Sequence, residues 1–461
     1  MEKAMHKPRS APMILALGLA AIFWAGNTCA GGRRQISLAE ALRIAMRQNR
    51  SLQAAGLEQQ AAGSEVTVAR AQMLPRLDAI EDYSNSNYPP LVFTDILAQQ
   101  DFSQSDFSLH HLNFPAPYSN FQSQVVMSQS LFAGGRLLAA LRAANDQAAI
   151  RTFQDARTRE EVEYQVIGDY YSAVLAEETT GVVQRALEAA QGHRRVAQDR
   201  VNQGMALRSD LLRTQVLLGS LEQRAIEARE QIHIAWATLA HTLGAEDEEV
   251  APLEPAEALA ESPPPDLARL DELAAEAPTH WPEYQIAHAQ VDTARQQVTI
   301  AQAEYLPSMN LTATYENDSQ YLTRAGNSYL VYLNVKEHLF NGFASQAGLD
   351  AARARLRRAE VLERDLRGAI ALEVETAFRN LAAARKNIEV ARKDNEYAAD
   401  ALKILEDRYR AGLAANVDVL DAQAARSDAD MQLARARVSV VIDEAALRLA
   451  SGEAPAGGLD K

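Results

Sequence analysis

The sequence predicts a mainly α-helical chain with a β part: long antiparallel helical hairpins of the α-barrel or coiled-coil kind, plus four β-strands given to a barrel shared between chains. Three observations carry this. The chain is written twice. Each copy holds a long proline-free stretch with helical spacing of apolar residues. Each copy also holds short segments in which apolar and polar residues alternate.

The repeat comes first, because it organises everything else. Ser130-Leu131-Phe132-Ala133-Gly134 returns as His338-Leu339-Phe340-Asn341-Gly342, an offset of 208. At the same offset Arg200-Val201-Asn202-Gln203-Gly204 returns as Arg408-Tyr409-Arg410-Ala411-Gly412, Asp210 as Asp418, and Gly244 as Gly452. Upstream, Leu74-Pro75-Arg76-Leu77 matches Leu306-Pro307-Ser308-Met309 at 232, so the first copy holds 24 extra residues between Pro75 and Phe132. The expected organisation is a segment 1–30 for export, a first repeat 31–244, an acidic and proline-rich linker and equatorial region 245–270, a second repeat 271–453 and a tail 454–461.

Segment 1–30 has the three-part layout of a secretory signal peptide. Lys3, Lys7 and Arg9 precede the apolar run Met13 to Trp24, and a small polar stretch ends at Ala30. That run is too short for the ~20 residues of a membrane-spanning helix. Cys29 is the only cysteine. Gly26-Asn27-Thr28 before it fits a lipid-attachment box poorly, and no disulfide framework exists. The formal net charge of −15 argues against nucleic-acid binding. No later segment is apolar enough for a spanning helix, so any membrane passage requires a closed β-barrel.

The helices follow from proline placement and periodicity. Residues between Pro117 and Pro252, and between Pro307 and Pro455, hold no proline. Leu366, Ile370, Val374, Phe378, Leu381 and Ile388 mark one helix face at near-heptad spacing. The run from Arg136 to Asn202 predicts one helix of 67 residues, ~100 Å long. Gly204 and Gly412 end the long helices as C-caps and mark the hairpin tips.

Strands are expected near 308–318 and 328–339, with a turn near Arg324 to Asn327. Met309, Leu311, Ala313 and Tyr315 face one way, then Tyr329, Val331, Leu333 and Val335. The first-copy pair is less regular, with Leu77, Ala79 and Tyr83 on one strand and Phe121, Val125, Met127 and Leu131 on the other. Apolar-out, polar-in alternation suits a lipid-facing strand around a wet lumen, and equally a half-buried soluble hairpin. Four strands cannot close a membrane barrel, which starts at about eight, so several chains must share one. Residues 89–119 are expected to be a long surface-exposed loop or an extended strand pair.

In order, spacing and duplication these segments resemble the TolC-like outer membrane efflux proteins (outer membrane factors), from about Ile36 to Gly452. Val417-Asp418-Val419-Leu420-Asp421-Ala422 adds to the likeness. The resemblance implies a homotrimer with a twelve-stranded barrel in the outer-membrane lipid and a helical tunnel in the periplasm of a Gram-negative type cell. It implies a passive duct of a tripartite efflux or type I secretion system, served by a periplasmic adaptor and an inner-membrane transporter, with no cofactor. Asp418 and Asp421 share a helix face and would line the closed periplasmic constriction as acidic rings. Their other reading is a carboxylate pair at a helix N-terminus. Tyr409 matches a position that holds the closed state through hydrogen bonds, while Ala414 stands where some members place a basic partner. Gly204, Met205, Gly412 and Leu413 would touch the adaptor. Asp210 reads as a helix cap.

An enzyme is not expected. GxSxG, GxxxxGK and HExxH are all absent from the sequence, and His110-His111 reads as a solvated loop pair. The competing reading is a periplasmic coiled-coil scaffold or adhesin without channel activity, which has no need of the alternating strands.

Overall fold

The computed structural model describes residues 34–245, 250–252, 270–321 and 325–457. The expected signal peptide with Cys29, most of the 245–270 linker and the end of the 454–461 tail lie outside the described residues. Ten α-helices and six strands are described.

The duplication is visible in the element bounds. Helices α1 (Leu38–Gln48) and α2 (Arg50–Ala71) return 232 residues later as α7 (Leu270–His280) and α8 (Pro282–Ala303). Helices α5 (Arg136–Asn202) and α6 (Arg208–Leu243) return 208 residues later as α9 (Ala344–Arg410) and α10 (Asn416–Ser451). The 67-residue helix expected from Arg136 to Asn202 therefore forms, and so does its copy. Each copy builds a hairpin: α5 lies on α6, and α9 on α10.

The apolar stripe in α9 packs as its spacing requires. Ile370, Val374, Phe378, Leu381 and Ile388 are buried, and Leu366 lies half-buried beside them. Alanines fill much of the seam, among them Ala377, Ala384 and Ala391 on α9 and Ala434, Ala445 and Ala450 on α10. Small side chains let long helices approach closely, and the close-packed seam stabilises through many weak contacts.

The short helices clamp the far ends of the hairpins. The Asn49 amide donates to the carbonyl of Thr242 at 2.8 Å, and the Trp281 indole donates to the carbonyl of Ala450 at 2.8 Å. Gly244 and Gly452 lie beside these contacts at φ +74 and +76. A Cβ at Gly244 would overlap the carbonyl of Gln48, and one at Gly452 would crowd His280 and Trp281. Strand β1 (Arg34–Ile36) pairs in parallel with β4 (Val250–Pro252), so part of the linker is ordered strand rather than irregular connector. Tyr170 and Tyr171 are fully buried beneath β1, and the Tyr170 hydroxyl donates to the carbonyl of Ile36 at 3.1 Å.

At the opposite end from the hairpin tips a four-stranded antiparallel sheet runs β2 (Arg76–Ser86), β3 (Tyr118–Ala133), β5 (Ser308–Ser319), β6 (Ala325–Lys336). Register places Leu77 beside Met127, Ala313 and Val331, and Ala79 beside Val125, Tyr315 and Tyr329. These rows form one apolar, exposed face; Leu77, Tyr329 and Val331 are 70%, 82% and 60% exposed. The opposite face carries Asp78, Gln122, Gln124, Thr312, Thr314, Glu316 and Asp318, with Ile80, Val126, Leu330 and Tyr332 as apolar exceptions. A register shift between Ser130 and Phe132 sets Leu131 out of the pairing.

Three expectations are corrected. Ala325, Gly326 and Asn327 pair with Ser319, Asp318 and Asn317, so they belong to strand β6 and not to the turn. That strand ends at Lys336, because the backbone must leave the sheet to turn at Gly342, whose φ is +65. Residues 89–119 are neither open loop nor strand pair: they hold α3 (Pro89–Ala98), a 3-10 turn (Gln104–Phe107) and α4 (Leu109–Asn113). Apolar residues at Val92, Phe93, Ile96 and Phe102 fold the segment on itself, with the rings of Phe93 and Phe102 5.0 Å apart.

Two outcomes follow from the packing. Truncating the fully buried Phe378 to alanine should cost about 3–5 kcal/mol, read by chemical denaturation in detergent. Burial raises the Glu160 carboxyl to about 7, against the opposing pull of Arg157 and with help from Glu283 and Glu163. A raised folded-state value means the neutral form is favoured, so its stabilising effect is complete in acid and lost as pH rises through about 7. Glu160→Gln should therefore raise the melting temperature in mildly alkaline buffer and leave it unchanged in acid.

Candidate functional site at the hairpin tips

Both hairpins turn at the same end of the molecule. Helix α5 ends with Gly204 at φ +73, where the Met205 amide donates to the carbonyl of Arg200 and the Gly204 amide to that of Val201. Helix α9 ends identically at Gly412, φ +81, with Leu413 donating to Arg408 and Gly412 to Tyr409. This left-handed cap needs glycine, since an L side chain there meets its own carbonyl. Met205 and Leu413 project into solvent at 59% and 76% exposure. Leu207, 70% exposed, joins them. The tips thus present a bare apolar surface that the folded chain does not cover.

Between the tips a cross-hairpin cluster forms. Tyr409 is buried, with the Arg200 guanidinium 4.8 Å from its ring centre and the His193 ring 5.0 Å away. Arg200 Nη1 also donates to the carbonyl of Tyr409. Burial pushes the Tyr409 phenol up, Asp210 adds to this, and Arg200 opposes it. Asn416, buried in the first turn of α10, joins three elements. Its Nδ2 donates to the carbonyl of Asp210 at 3.1 Å and to Thr214 Oγ1 at 3.4 Å. Its Oδ1 lies 2.7 Å from His193 Nε2. Because the amide nitrogen is spent on Asp210 and Thr214, Oδ1 must accept, which places the His193 hydrogen on Nε2.

Several sequence expectations change in detail. The Tyr409 hydroxyl has no hydrogen-bond partner among the described residues, so its ring and its carbonyl, rather than its hydroxyl, make the cross-hairpin contacts. Ala414 offers no basic group; the cation on Tyr409 is Arg200 from the other hairpin. Asp210 stands three residues after the N-cap Leu207, as Asp418 does after Ala415, but forms no capping box there; its backbone carbonyl serves Asn416. Asp418 does cap: its Oδ2 accepts from the Ala415 amide at 3.0 Å.

Asp418 and Asp421 are exposed on one side of α10, and Asp428, seven residues on, continues the acidic line. Sequence reasoning missed Arg200, His193, Asn416 and Asp428. A heptad step from Asp421 reaches Asp428, and Arg200 lay in the repeated motif. His193 and Asn416 carried no local signal. Among the described residues no group of three or more His, Cys, Asp or Glu could hold a metal ion, and no helix is long and apolar enough to cross a membrane.

Comparison with known proteins agrees with this layout. CyaE of Bordetella pertussis is 28% identical over 309 residues, 65% of this chain and 64% of that protein. TolC of Vibrio cholerae is 30% identical over 156 residues, 34% of this chain and 35% of that protein. The chain therefore matches less than two thirds of the length of these two relatives. The solved CmeC outer membrane channel of Campylobacter jejuni superposes with a TM-score of 0.75 at 15% identity, covering 97% of this chain and 94% of that one. Residues 41–245 and 274–453 match the outer membrane efflux protein family, a span that takes in both hairpins, both strand pairs and both tips, and the chain belongs to that family.

Proposed function

We propose that the chain is one protomer of a homotrimeric outer-membrane duct that passively conducts cargo from a periplasmic adaptor and inner-membrane transporter to the exterior. The observation that carries this reading is the sheet. It presents an exposed apolar face and a polar face, and β2 and β6 each pair on one side only. Unpaired backbone in lipid costs several kcal/mol per group, so such a sheet is stable there only when its edges meet those of other copies. Three copies of four strands make the twelve-stranded barrel of the resemblance, with the apolar rows toward lipid and the polar face around the lumen.

The hairpin tips then form the periplasmic entrance. The Arg200–Tyr409 and His193–Asn416 contacts hold the second hairpin against the first, a closed arrangement. The unpartnered Tyr409 hydroxyl and Arg200 Nε make that arrangement costly to keep, by roughly 1–3 kcal/mol for each unpaired buried group. Opening is therefore a small free-energy step, suited to control by an adaptor. Asp418, Asp421 and Asp428 place carboxylates along one exposed face of α10, and rings of carboxylates favour cations. Met205, Leu207 and Leu413 give the adaptor an apolar seat.

Three measurements test this. Mature protein in detergent should have the mass of a trimer, and in planar bilayers it should show small currents that prefer cations. Arg200→Ala with Tyr409→Ala should raise the conductance several-fold by freeing the second hairpin. Asp418→Asn with Asp421→Asn should lower the preference for cations, read as a shift in reversal potential across a salt gradient. A monomer that never inserts would refute the duct.

A further inference from the structure

The 24 residues that the first copy has in excess fall between β2 and β3, at the end of the sheet away from the helices. They do not extend outward. Helix α3 lies across the polar face of the sheet, against β3 and β6. Gln99, at its C-terminal end, is buried and wedged into this face: its Nε2 donates to Asn120 Oδ1 at 2.8 Å and to the Ser119 carbonyl at 3.1 Å, while its Oε1 accepts from the Tyr118 hydroxyl at 2.7 Å. Asn120 in turn donates to Asp318 Oδ1 at 2.7 Å, and Gln100 donates to the Asn327 carbonyl at 3.1 Å. The approach is so close that a Cβ at Gly326 would overlap the carbonyl of Ala98. Gly326 has an ordinary negative φ, so it is glycine for this contact and not for backbone freedom. The segment is thus fitted to the lumenal face by three strands.

One interaction opposes the fit. Asp95 on α3 is 7% exposed and Asp318 on β5 is 1% exposed, and the two carboxylates face one another across the junction. Asp95 Oδ2 has no hydrogen-bond partner among the described residues. Burial first, and Asp318 second, raise the Asp95 carboxyl above its ordinary range. The other titratable groups near the junction are Glu316 on β5, held by Gln124, Tyr118 at the start of β3, Tyr321, and Asp101, Asp106 and His111 within the segment itself. On β6, Gly326 and Ser328 at this level do not titrate. Like charges in a place of low polarity repel more strongly than in water.

We propose that residues 87–117 are a lid that closes the outward mouth of the barrel across its lumenal face, and that protonation of Asp95 holds it shut. This rests on the duct reading. The amide network around Gln99 seats the lid, and ionised Asp95 against Asp318 loosens it. Because the closed lid favours the neutral carboxyl, lowering the pH outside the cell favours the closed mouth and raising it favours the open one.

The test uses full-length protein in the outer membrane of intact cells. Ser128→Cys lies on the polar face several residues deeper than the lid, and a membrane-impermeant polyethylene-glycol maleimide is added outside. A chain without the introduced cysteine reports any labelling of Cys29. The same cysteine in a chain whose residues 89–117 are replaced by a short Gly-Ser turn gives the unobstructed rate at each pH, which cancels the pH dependence of thiol chemistry. The lid predicts labelling about tenfold slower than in that reference, and Gly326→Val should recover much of the difference. The ratio should fall further on acidification, and Asp95→Asn should keep it low at every pH. Equal rates with and without 89–117 overturn the lid and leave the barrel standing. A ratio indifferent to pH, or one in Asp95→Asn that still follows pH, overturns the proton latch. If Ser128→Cys stays unlabelled even without the lid, and alkali strips the protein from the membrane, the barrel is wrong and the lid falls with it.

Discussion

Everything in this chain depends on keeping a 67-residue helix covered along one face. No isolated helix of that length is held together by propensity, and its stability comes from burying one face against neighbours. Helices α5 and α9 do so along alanine-rich seams with α6 and α10, and each is further flanked by a shorter helix, α2 or α8. The hairpin tips, the equatorial strands and the sheet are all carried at fixed points on these two rods. Displacing a seam residue such as Val374 or Phe378 therefore disturbs sites far along the rod.

The two copies meet the same structural need with different chemistry. A helix end leaves carbonyls without intrahelical partners. In the first copy the Thr242 carbonyl is answered by the Asn49 amide; in the second, the equivalent Ala450 carbonyl is answered by the indole of Trp281, the residue that matches Asn49. The requirement is a donor of the right reach, so an amide and an indole both serve. Gly244 and Gly452 are retained beside them because a positive φ and a close neighbour leave room for nothing larger.

At the tips the copies have diverged in sequence. Asp418 and Asp421 of the second copy correspond to Asp210 and Arg213 of the first, so only the second hairpin carries the run of exposed acid. The first hairpin carries the cation and the ring that hold it, Arg200 and His193. The cluster is therefore asymmetric: the cation and the imidazole come from one hairpin, the phenol ring and the exposed carboxylates from the other. The sheet is divided in the same way, since only the first copy bears the 87–117 segment.

The sequence alone determined the repeat, the bounds of the long hairpins and the presence, though not the ends, of the second-copy strand pair, because each is encoded locally: prolines and left-handed glycines punctuate, and periods of 3.6 and 2 name the element between them. It also marked Gly204, Gly412, Asp418 and Asp421, which belong to local turns or to one helix face. Tertiary structure alone decided the contacts made across the copies. Arg200 meets Tyr409 and His193 meets Asn416 over more than two hundred residues of chain, with no spacing to announce either pair. The same holds for 89–119, whose prolines and aromatics read as loop until Gln99 meets Asn120 and α3 meets Gly326. Strand β4 escaped notice because three residues are too few to show a period. Local patterns report on the shape of an element; which residues face each other depends on where the rods and strands are carried.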